Sequence, residues 1–95
     1  MNHPTMNADG YPTEETLQAI REWPAKEMPA LFAFIREAWT YPDYWRTEGT
    51  THTVATGGWS GNEDLIDALG DNSIAWLLCW VSSARGGKFV FEEKP

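Results

Sequence analysis

Ile74-Ala75-Trp76-Leu77-Leu78-Cys79-Trp80-Val81, then Ser82-Ser83-Ala84-Arg85-Gly86-Gly87, then Lys88-Phe89-Val90-Phe91-Glu92, is the stretch on which the fold turns. Eight apolar residues in a row fit a buried helix as well as a buried strand; the short length and the glycine pair that follows favour the strand. On that reading Ile74, Trp76, Leu78 and Trp80 share one face, and Ala75, Leu77, Cys79 and Val81 the other. Residues 82 to 87 become a connection. Residues 88 to 92 become a last strand with Phe89 and Phe91 on one side, so the chain ends in an antiparallel hairpin.

Upstream, the periodicity changes. Thr13 followed by Glu14 and Glu15 predicts the start of a helix with Leu17 and Ile20 inward, and Pro24 ends it after Trp23. A second helix runs from about Ala25 or Pro29 to Trp39. Met28, Leu31, Phe32, Ile35, Ala38 and Trp39 recur there at three- and four-residue spacing, the apolar face of a core helix. Tyr41-Pro42-Asp43-Tyr44-Trp45 reads as a turn, with room for an edge strand near Trp45. Residues 50 to 56, rich in threonine around Val54, read as a strand. A short third helix is expected over residues 61 to 69, with Gly70 as its stop. The expected fold class is α+β: two N-terminal helices and one short helix on a small antiparallel sheet ending in a hairpin. Residues 1–12, turn-rich and polar, form a flexible arm on this reading, and residues 13–95 a single domain.

Six tryptophans among 95 residues are more than so small a core readily hides, so one or two are expected at a contact surface. The net charge of −7, from 14 acidic and 7 basic residues, argues against duplex DNA as a ligand, because such binders carry a basic face. No acidic residue occurs from 72 to 91, while Arg85 and Lys88 do, leaving a small basic island. The single cysteine precludes an intramolecular disulfide and suits a reducing compartment. With no basic-then-apolar leader and no membrane-length apolar run, a cytoplasmic protein without a membrane partner is expected.

The loop Thr56-Gly57-Gly58-Trp59-Ser60-Gly61-Asn62-Glu63 carries the chemistry-bearing signal. Its glycines allow positive φ and close approach of another molecule, and Ser60 with Glu63 has the spacing of a capping box at a helix start that favours anions. The bland alternative is a tight strand-to-helix connection, which gives no reason for an indole between glycines. Gly57, Gly58, Trp59, Ser60, Gly61 and Asn62, with Arg85 and Lys88 supplying positive charge, form the candidate site for a small anionic, nucleotide-like ligand. Arg85-Gly86-Gly87-Lys88 reads equally as an ordinary hairpin turn. A nucleophile elbow at Ser60 fails because Asn62 stands where glycine is required. His3, His52 and Cys79 have no metal-ligand spacing, so neither a metal nor another cofactor is expected.

Residues 56–66, 76–80 and 82–91 together resemble a family of small proteins encoded by tailed bacteriophages, to which no activity is attached. Where the family's loop carries two adjacent arginines, this chain has Ala84 and Arg85. The resemblance implies an accessory protein of an infected bacterial cell that acts by binding and not as an enzyme, frequently against host defence. Two modes follow. One is sequestration of a nucleotide-like ligand at the site above. The other is an acidic surface, including Glu14, Glu15 and Glu22, that inhibits a host nucleic-acid-binding defence complex in the manner of an anti-CRISPR protein. A remote third is a small hydrolase using Ser60 and His52. A half-covered sheet also makes a homodimer an expectation.

Overall fold

The computed structural model of the chain describes residues 3–93. Helices α1 (Glu14–Arg21) and α2 (Met28–Ala38) precede strands β1 (Trp45–Glu48) and β2 (Thr51–Ala55). Helices α3 (Ser60–Asp71) and α4 (Ser73–Cys79) then lead into strands β3 (Trp80–Ala84) and β4 (Lys88–Glu92). The strands make one antiparallel sheet in the order β1-β2-β4-β3. The α+β class and the closing hairpin are as the sequence predicts.

Local chemistry sets the elements. The Thr13 hydroxyl accepts the Thr16 amide at 3.2 Å and caps α1. A single 3-10 turn, Ala25–Glu27, feeds α2, and Pro29 sits in the first turn, where its missing N–H costs nothing. Met28, Leu31, Phe32, Ile35 and Ala38 are buried along α2, each large side chain stabilising the fold by about 1.5–3 kcal/mol. They meet the inward residues of the sheet, because Val54 lies opposite Phe89 and His52 opposite Phe91. Phe32 stacks on the His52 ring at 5.0 Å and tilts against Phe91 at 5.5 Å. Leu65, Ala68 and Leu69 of α3 complete the core. Thr53, Ala55, Lys88 and Val90 point to the uncovered face of the sheet.

Two expectations are corrected. The apolar run 74–81 is not one strand: it is α4 as far as Cys79, and only Trp80 and Val81 enter β3. Asn72 decides this, since its Oδ1 accepts the Ala75 amide at 3.2 Å and starts a helix. Ala75 and Cys79, four apart, then turn inward, which leaves Leu77 and Leu78 exposed. Gly70 does not stop α3, which continues to Asp71, and Asn72 makes the break. Within the segment read as a flexible arm, Met6 bridges Pro12, and the Thr5 amide donates to the Thr16 hydroxyl at 2.8 Å. The first two residues of that arm lie outside the described residues.

α1 and α3 run side by side in the same direction. At one end the Tyr11 hydroxyl, just before α1, meets the Ser60 hydroxyl at 2.7 Å; at the other Arg21 Nε lies 3.5 Å from Asp71. Asn72 Nδ2 donates to the carbonyls of Ile20 at 2.9 Å and Trp23 at 3.1 Å, fixing the end of α1 to the joint between α3 and α4.

Candidate functional site

The glycines of the 56–63 loop make room for the protein's own rings. Gly57 has φ +66°, and a Cβ there would lie 2.7 Å from the Tyr44 ring. At Gly61 the obstruction is the Trp59 indole nitrogen. Gly58 alone among these faces open space. Trp59 is half-buried and packs on Tyr11 with ring centroids 4.7 Å apart, and its Nε1 is shielded with no partner among the described residues.

The polar side chains of the loop are also engaged. Trp59, not Ser60, occupies the cap position of α3, and no side chain caps the helix there, which overturns the capping box. Ser60 instead bonds Tyr11. Asn62 is fully buried: its Nδ2 donates to the carbonyls of Thr40 at 2.8 Å and Thr56 at 3.2 Å, and its Oδ1 accepts the Thr40 amide at 2.9 Å. These bonds tie the start of α3 to the end of α2 and to β2, so Asn62 is a structural stitch.

The hairpin turn does come to the loop, because the Thr56 amide donates to the Gly87 carbonyl at 3.0 Å. The two cations separate, however. Arg85 is exposed in the turn, whereas Lys88, paired with Ala55, lies on the open face of the sheet beside Arg46 and Tyr44. A recess of about 280 Å³ between Thr56, Gly87 and α3 is edged by Glu63 and Asp67, an unfavourable lining for an anion.

His52 and Ser60 do not contact each other. The His52 Nδ1 accepts Trp45 Nε1 at 3.1 Å and meets the Thr47 hydroxyl at 2.9 Å. This leaves the proton on Nε2, which donates to Glu93 at 2.5 Å. The imidazole, 4 % exposed, is a satisfied core group. Among the described residues no three His, Cys, Asp or Glu side chains converge on a metal position, and no helix is long and apolar enough to cross a membrane.

Two features escaped the sequence reading. The first is the joining of the acidic residues of α1 to those of α3. Glu14, Glu15, Glu22, Glu63, Asp64, Asp67 and Asp71 stand on these helices or at their ends against Arg21 alone, a net of −6 out of −7 for the whole chain. All but Asp64 are exposed. Arg21 lies 2.8 Å from Glu14, and that carboxylate above all, with Asp71 adding to it, raises the guanidinium pKa above its ordinary value. Each cluster is unremarkable in sequence, because 38 residues separate the two helices.

The second is a concavity of about 380 Å³ beside α2, walled by Trp23 and Phe34 and edged by Glu27, Glu37 and His3. The rings of Trp23 and Phe34 stand 5.0 Å apart, and Trp23 Nε1 is fixed on the Glu27 carbonyl at 2.9 Å. His3 Nδ1 sits 2.9 Å from the Glu37 carboxylate. Aromatic walls with carboxylates at the rim suit a cation.

Comparison with protein families, curated proteins and solved structures finds no match, so the reading of these surfaces rests on their own geometry.

Proposed function

We infer that this is a non-enzymatic interaction protein whose acidic α1/α3 face engages a basic protein surface of the kind that otherwise holds nucleic acid. The observation that carries this reading is the gathering of six of the chain's seven net negative charges on two parallel, adjacent helices. Such a face steers a cationic partner and weakens with salt. The Trp23–Phe34 concavity supports it by offering a place for one arginine or lysine side chain of the partner, where the imidazole of His3 now rests on Glu37. The phage resemblance supplies the setting, an accessory protein that blocks a host nucleic-acid-binding defence complex.

The test is fluorescence anisotropy with an arginine-rich peptide as probe. Affinity should fall tenfold or more between about 50 and 200 mM salt. The pair Glu15→Lys and Asp67→Lys should weaken binding well beyond Asp43→Lys with Glu48→Lys, which changes the charge equally on the sheet side. Equal losses in the two pairs, or indifference to salt, would sink the assignment of the face.

One observation favours the ligand reading as well: the Thr56–Gly87 bond joins the hairpin turn that carries Arg85 to the glycine loop, in which Gly58 faces open space. Native mass spectrometry with linear and cyclic nucleotides examines it. A stoichiometric adduct lost in Arg85→Ala and Trp59→Ala would move the function to that loop.

A further inference from the structure

The two edges of the sheet are built differently. β1 carries Arg46 and Glu48, charges that discourage another strand from adding to it. β3, at the opposite edge, reads Trp80-Val81-Ser82-Ser83-Ala84 and is exposed at every residue. Its register slips at Val81, which is left 50 % exposed. Next to it α4 presents Leu77 at 83 %, Ile74 at 58 % and Leu78 at 40 % exposure, and Trp80 adds 44 %. Neighbouring apolar side chains exposed to this degree mark an interface in a soluble domain.

We propose that the α4/β3 edge is the contact surface for a second copy of this chain, joined across a two-fold axis near Ser82. Charge selects that occupant. Two molecules of net charge −7 repel one another least where the contact itself adds no carboxylates, and residues 72–84 contain no charged side chain at all. A basic partner would be drawn to α1/α3 instead.

The geometry is self-complementary. The Val81 bulge puts Trp80, opposite the buried Phe91, on the helical side of the sheet, where a two-fold axis sets it with the exposed side chains of α4 against their counterparts in the second copy. Leu77 and Leu78 then cover the seam from the helical side. The five exposed apolar residues hold roughly 500 Å² per copy, about 1,000 Å² across the axis, and the strand edges bring the contact to the lower end of the roughly 1,200–2,000 Å² of stable interfaces. The contact stands apart from whatever the acidic face binds.

Sedimentation velocity of the full chain over a concentration series is the test, starting from a monomer of 10.8 kDa. A reversible dimer is expected. Leu77→Lys and, separately, Val81→Lys should each raise its dissociation constant about 100-fold or more. Both positions are exposed, so the far-UV circular dichroism should not change. Glu48→Lys at the other edge should leave the dimer intact. A wild-type monomer up to about 1 mM would overturn the proposal. So would a dimer that survives both apolar-edge variants, or one that Glu48→Lys dissolves.

Discussion

The α1/α3 pair and the α4/β3 edge are joined at Asn72, yet they are opposite kinds of surface. The first is dense in carboxylates and lies over well-satisfied polar contacts: Arg21 between Glu14 and Asp71, and Tyr11 on Ser60. The second has no charge from 72 to 84 and leaves Leu77 almost wholly in water. The difference teaches that so small a domain can separate two modes of recognition. On the readings proposed above, long-range attraction belongs to one side and short-range apolar contact between copies to the other.

Breaking the joint should have the largest effect. Asn72→Ala removes the cap of α4 and leaves the Ile20 and Trp23 carbonyls short of a donor, so urea unfolding should show a loss of about 3 kcal/mol. A loss under about 0.5 kcal/mol would mean that the two surfaces are not mechanically joined there. Next comes the uncharged side, where Leu77→Lys should shift the dimer's dissociation constant by the 100-fold given above while unfolding of the monomer stays within about 0.5 kcal/mol of wild type. The charged side should respond less. Glu15→Lys with Asp67→Lys should cost about tenfold in affinity for the arginine-rich peptide at low salt and almost nothing at high salt. Smallest of all, Arg85→Ala should change neither stability nor peptide affinity by more than about 0.5 kcal/mol, because Arg85 stands exposed in a turn outside both surfaces. A nucleotide adduct that depends on Arg85 would show a third surface.

Legibility in the sequence followed the length scale of the interaction. The α2 stripe from Met28 to Ala38 and the Phe89/Phe91 alternation are local patterns, and both elements form as the residues predict. The 74–81 run was ambiguous by periodicity, and a side-chain bond from Asn72, just upstream of the apolar residues, settled it as a helix. Within the candidate site, the glycine loop was visible in outline, whereas its approach to the Gly86-Gly87 turn was only a condition the site required. The occupants of the glycine spaces were not visible. Tyr11 reaches Trp59 across 48 residues and Tyr44 reaches Gly57 from a turn, pairings that no spacing rule encodes. The acidic residues were visible helix by helix, but their joining was hidden for the same reason, since it exists only once α1 lies beside α3.

The strand order carries a consequence for how the chain assembles. β1–β2 and β3–β4 are local hairpins, but the sheet is closed by Ala55 pairing with Lys88 and Thr51 with Glu92, across the whole of α3 and α4. That closure comes with loop entropy lost before any contact compensates for it, so the search for the β2–β4 register, not helix formation, sets the folding rate. Until it completes, the apolar α4/β3 edge is the part of a nascent chain most open to capture by a neighbour.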